Sequence, residues 1–152
     1  AKTDIDISGL HLVGVGTDYR GSDSSHAVGV YCTTSASRIH VHHCYFETFS
    51  YAAMRVSNSV SCSFTDDVVI GPGAPTLTAG ATPQCYGVLF DTTSAGGRIL
   101  NNNISKVSQG VIIQTATDMR IVGNRMSDIT GQHGVYAGYG LNGGRDRRQR
   151  DQ

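Results

Sequence analysis

Tryptophan is absent from this chain of 152 residues, proline occurs only 3 times, and charge is scarce and balanced, with 12 Lys and Arg against 12 Asp and Glu. A formal net charge of zero argues against a dedicated nucleic-acid binder, which needs a basic face. No run of 18 apolar residues occurs, so nothing reads as a membrane span. Helix signals are missing too. There is no capping box and no sustained i, i+3, i+4 apolar stripe, and an abundance of Gly, Ser, Thr, Val and Asn disfavours helices. The acids form no cluster dense enough for calcium, and the 4 cysteines are not in zinc spacing. His40 and His42 would share a strand face with no third ligand, so no metal or cofactor is expected. No Ser or Cys sits in a nucleophile motif with a His partner.

What is present is a repeat. GRILNNNISKVSQGVIIQT (97–115) is followed at once by MRIVGNRMSDITGQHGVYA (119–137). Placing Asn102 on Asn124 and Gly110 on Gly134 gives a period of 22 to 24 residues, which is the signature of a solenoid. A glycine or alanine opens one strand of each copy, at Gly29, Ala53, Gly87, Gly110 and Gly134. The first and third residues after each are apolar, from Val30 and Cys32 to Val135 and Ala137. Such period-two alternation is a half-buried strand. A second column reads Cys44, Cys62, Asn102 and Asn124, each followed two places on by Phe46, Phe64, Ile104 or Met126. Stacked asparagines can bond the equivalent groups above and below, and cysteine fills such a slot as a small hydrophobe.

The connections are too short and polar for helical crossovers, so parallel strands must be joined by winding. The reading is all-β: a single-domain right-handed parallel β-helix over 1–137, of about five coils of 22–24 residues. Two insertions, about 13–28 and 66–86, leave it at one corner, where binding loops are expected. Residues 138–152 lose the pattern and read as a disordered tail. So short a solenoid would expose strand edges and open core at both ends. It is therefore expected to trimerise, or to be an excerpt capped by missing flanking domains.

The repeats GRILNNNISKVSQGVIIQ and MRIVGNRMSDITGQHGVYA resemble those of the right-handed parallel β-helix, pectin-lyase-like group. The looser coils and Gly-Val openings are most similar to bacteriophage tailspike and capsule depolymerase domains. That resemblance implies a homotrimer on a virion or outside the cell, binding and cleaving a bacterial surface polysaccharide as a hydrolase or lyase. The alternative is a non-enzymatic shaft or adhesin of a viral or cell-surface fibre.

Candidate residues come from the outward positions. On the glycine-opened strand these are Tyr31, Arg55, Leu89, Ile112 and Tyr136, then Thr33, Ser57, Asp91, Gln114 and Gly138. Tyr31, Arg55 and Tyr136 suit a sugar; packing of Leu89 and Ile112 against a subunit or loop is the other reading. Cleavage needs acids, and the candidates are Asp66, Asp67, Asp91 and Asp128. Aligned by the second column, Thr48, Asp66, Lys106 and Asp128 form a row with its two acids about 9.6 Å apart. A surface ion-pair row explains the same residues. Arg98 and Arg120 fall one coil apart, with His40 in their column and Asn58 a further candidate, and would hold a uronate carboxylate or form a solvated face. Cys44 and Cys62 would be stacked neighbours, either buried free thiols or within reach of a disulfide.

Overall fold

The computed structural model describes residues 3–14, 28–73, 85–131 and 133–138. Every assigned element among them is a β-strand, and every strand pairing is parallel. The first sheet stacks β1 (Thr3–Ser8), β4 (Ser37–His42), β7 (Ser63–Thr65), β11 (Arg98–Leu100) and β15 (Arg120–Val122) in that order. The second stacks β2 (His11–Val13), β5 (Tyr45–Glu47), β8 (Val68–Ile70), β12 (Asn103–Ser105) and β16 (Arg125–Ser127). The third stacks β3 (Val28–Cys32), β6 (Ala52–Ser57), β9 (Tyr86–Asp91), β13 (Gln109–Ile113) and β17 (Val135–Ala137). A short pair, β10 (Ser94–Ala95) with β14 (Ala116–Thr117), leads into the last two strands of the first sheet. The chain thus visits the three sheets in rotation and lays each row of three strands, here termed a tier, on the one before. This arrangement is compatible with a parallel β-helix.

The inward residues of the three sheets meet in one core. Val41, Phe64 and Ile99 come from the first sheet, Phe46, Val69 and Ile104 from the second, and Val56, Phe90 and Ile113 from the third. Glycine opens the third-sheet strands because the backbones approach too closely for a side chain. A Cβ on Gly87 would lie 2.6 Å from the Gly110 carbonyl oxygen, and one on Gly110 would lie 2.4 Å from that of Gly134. The register matches the repeat here, with Tyr31, Arg55, Leu89, Ile112 and Tyr136 as successive partners.

Corners are turned by single residues in the left-handed region. Between the first and second sheets these are Gly9, His43, Asp66, Asn101 and Gly123; between the second and third they include Thr48, Lys106 and Asp128. Hydrogen bonding between tiers does not lapse at these bends. The amides of Asp66 and Asn101 donate to the carbonyls of Leu100 and Val122, and that of Lys106 to Ser127.

The third tier departs from the sequence alignment. Phe64 pairs with Val41 and Ile99 in the first sheet, not with Phe46, whose partner is Val69. The small-residue column therefore runs Cys44, Asp67, Asn102, Asn124, and Cys62 does not belong to it. Cys44 and Cys62 are accordingly not stacked neighbours. Asp66 likewise leaves the row of Thr48, Lys106 and Asp128, where Gly71 takes its place, and joins His43 and Asn101. The cause is that neighbouring strands of one tier share an apolar centre and a small residue two places earlier. The second long connection also starts later than expected, after β8. Like the β2–β3 connection it runs from the second sheet to the third. Residues 15–27, 74–84 and 139–152, which carry most of both insertions and the tail, lie outside the described residues.

Candidate functional site

Among the described residues, the outer face of the third sheet carries a dense polar arrangement. Arg55 on β6 reaches diagonally to Asp91 at the end of β9, its Nε and Nη2 donating to Oδ2 at 2.9 and 2.7 Å. The Ser57 hydroxyl donates to the other carboxylate oxygen, and Thr92 approaches the same atom at 3.4 Å. Both oxygens of Asp91 are thereby engaged, and its side chain is only 8% exposed. Burial lowers the proton affinity of the Arg55 guanidinium, but the hydrogen bond and charge of Asp91 outweigh it and hold the group above its ordinary pKa. The same guanidinium lies over the rings of Tyr31 at 5.0 Å and Tyr51 at 5.4 Å, within cation–π range. Tyr51 in turn meets Tyr86 edge to face, with centroids 5.4 Å apart. Tyr31 is 42% exposed. An arginine fixed by a buried carboxylate thus supports an open aromatic surface flanked by hydroxyls.

Further along the face Leu89 and Ile112 are 1% and 2% exposed, packed with Ala52, Tyr86 and Tyr51. The single chain already covers them. Tyr136 is exposed beside His133, their ring centroids 5.2 Å apart, two tiers beyond Leu89 in the column. It does not join the Tyr31 cluster.

Arg98 and Arg120 are Cα partners on the outer face of the first sheet, and both are exposed. Their column continues through Ser63 to His40; Ser63, not Asn58, fills the third tier. His40 and Ser63 are joined by a 2.7 Å hydrogen bond. Among the described residues no group of three His, Cys, Asp or Glu side chains could hold a metal.

The four candidate acids do not converge on one site: Asp66 and Asp67 are chain neighbours, one exposed and one buried, and Asp91 and Asp128 lie elsewhere. Asp66 stands exposed at the corner after the first sheet, its Oδ1 accepting from Asn101 Nδ2 at 3.3 Å. Asp128 stands exposed at the corner after the second. Asp91 is tied to Arg55. Asp67 points inward and is 1% exposed, and burial pushes its carboxyl up to about 6 against the backbone hydrogen bonds that favour the anion. The four cysteines are buried and free. The neighbouring Cys62 thiol and burial push the Cys32 thiol above its ordinary pKa.

Sequence reasoning grouped Tyr31 with Arg55 but missed Tyr51 and the partnership with Asp91. A diagonal rule, pairing each residue with the one two places beyond its partner, would have found the latter. Comparison with known proteins returned no matching family model, curated protein or solved structure.

Proposed function

We propose that this chain is a right-handed parallel β-helix of five coils, of the tailspike-like kind it resembles, and that it binds a bacterial surface polysaccharide on the outer face of the third sheet. The observation that carries the reading is the guanidinium of Arg55 set over Tyr31 and Tyr51 and anchored by Asp91. Sugar rings stack on aromatic faces through their C–H groups, while their hydroxyls take hydrogen bonds from groups such as Thr92 and Arg55. Because the protein already holds these side chains together, little rotamer entropy remains to be lost on binding. Both long connections enter the third sheet, which suits walls beside such a surface.

Of the two expectations, adhesin and depolymerase, the geometry favours the adhesin. Hydrolysis of a glycosidic bond commonly takes two carboxyl groups across one site, and the candidate acids do not converge on one, with one pointing inward and one bound to arginine. The virion location and homotrimer are proposed with the resemblance. The trimer does not draw on Leu89 and Ile112, which this chain covers itself.

The test is a panel of capsular and O-antigen polysaccharides, read for binding, viscosity and unsaturated uronate absorbance. Binding that disappears in Tyr31→Ala, with viscosity unchanged, is the expected outcome. A fall in viscosity would restore the depolymerase, and binding indifferent to Tyr31→Ala would remove the proposed surface.

A further inference from the structure

The corrected inner column between the first and second sheets is a hydrogen-bond ladder with one rung out of character. Each rung accepts from the main chain of the tier before. Asn124 Oδ1 takes the amide of Asn102 at 3.0 Å, Asn102 Oδ1 that of Asp67 at 2.9 Å, and Asp67 Oδ1 that of Cys44 at 2.7 Å. The asparagine rungs also donate to a first-sheet carbonyl one tier back. Asn124 Nδ2 reaches the carbonyl of Ile99 at 2.8 Å and Asn102 Nδ2 that of Phe64 at 2.9 Å; the Cys44 thiol lies 3.4 Å from the His42 carbonyl of its own tier and 3.7 Å from that of Ile7. Ile7, Val41, Phe64 and Ile99 are successive strand partners, so the carbonyl that falls to Asp67 is Val41's. An ionised aspartate has nothing to donate. Its Oδ2 is buried without a hydrogen-bond partner among the described residues, and by the register of the ladder it is the atom that corresponds to Nδ2 of Asn102 and Asn124, although the Cys44 and Thr65 amides favour the anion. Two acceptors facing each other in a dry corner would cost a buried unsatisfied pair.

We propose that Asp67 completes the ladder as an uncharged acid, its Oδ2 carrying a proton and donating a hydrogen bond to the main-chain carbonyl of Val41. The domain then contains a proton-dependent rung between its second and third tiers. The titratable groups facing the rung are His42, whose charge opposes protonation, and Asp66 beside it, whose charge favours it. His42 itself engages Asp6 at 2.9 Å and His43 at 2.8 Å. The next tier presents only the neutral Asn101 and Asn102 at this corner. Burial is the larger influence and raises the carboxyl from 3.8 to about 6.

The sign follows from linkage. A carboxyl whose pKa is higher folded than unfolded costs nothing below the unfolded value. Stability is lost as pH rises toward the folded value and is level above it. The experiment compares Asp67→Asn with the unaltered chain in urea unfolding at several pH values from about 4 to 7.5, so that other titrating groups cancel in the difference. The unfolding equilibrium of the unaltered chain should move against it by about tenfold per pH unit between about 4 and 6, and by nothing further above. A difference independent of pH, or one that grows in favour of aspartate as pH rises, overturns the proposal. Should Asp67→Asn not fold, carbon-13 NMR of the unaltered chain decides it. The Asp67 carboxyl still protonated at pH 5 supports the neutral rung, and a midpoint at or below about 4, the ordinary aspartate range, removes it.

Discussion

The inner corner column and the outer column of the third sheet are built on the same tiers, yet they vary under different constraints. Cys44, Asp67, Asn102 and Asn124 differ in type, but the last three each accept a main-chain amide from the tier before, and the two asparagines also donate to a main-chain carbonyl of that tier. Tyr31, Arg55, Leu89, Ile112 and Tyr136 share a register but no common chemistry. Their partners are local, an acid here and a ring there. Inside, the backbone dictates which side-chain atoms are acceptable; outside, the backbone fixes only position, and the chemistry can be set by a ligand.

The contrast can be broken most forcefully at Asn102. Asn102→Ala orphans the Asp67 amide and the Phe64 carbonyl, and should lower the unfolding free energy by about 3 kcal/mol. Tyr136→Ala, outside, should change it by less than about 0.5 kcal/mol. Equal losses in urea melts would show that the ladder is ornamental. Arg55→Ala comes next, because it strands the Asp91 carboxylate. Its expected cost is about 2 kcal/mol, below the range for a fully buried pair because Arg55 remains 18% exposed. Arg120→Ala removes a like-charge neighbour of Arg98 and should be neutral or slightly stabilising; a comparable loss in both would make the two arginines equivalent. Tyr31→Ala sharpens the comparison from the other side. A stability loss under about 1 kcal/mol, together with roughly tenfold weaker polysaccharide binding, equal to about 1.4 kcal/mol, would separate recognition from folding, and calorimetry can read both. The smallest effect belongs to a corner. Asp128 holds a φ of 52°, and Asp128→Gly should gain about 0.5 kcal/mol by relieving left-handed strain, less the added freedom of the unfolded chain.

The two columns also differ in how far the sequence betrays them. The third sheet was legible because its opening glycines mark a place where no side chain fits, a physical demand that fixes residue type and hence register. The second sheet and the last three strands of the first carry three-residue strands with an apolar centre, so Phe64 passed for Phe46. What separates them is a left-handed φ at His43, Asp66, Asn101 or Gly123, a position that four different residue types fill. The ladder at Asn102 and Asn124 was visible as a column, but Asp67 was hidden because an acid is not expected inward and Cys62 imitated the spacing. Arg55 with Asp91 was invisible for another reason, since the partners stand 36 positions apart in the sequence.

Strand partners everywhere lie 22 to 35 positions apart, as Arg98 from Arg120 or Phe64 from Ile99. The longer intervals are those that span the two long connections. Closing a loop of 35 residues instead of 22 adds less than the roughly 0.6 kcal/mol that a doubling would cost. Lengthening the passage from second to third sheet is therefore almost free to the fold, whereas one added carbon at Gly110 would strike the next backbone. Variation in such a chain should accumulate as whole segments at one corner rather than as bulk in the walls, and new recognition surfaces can be tried there without renegotiating the sheets.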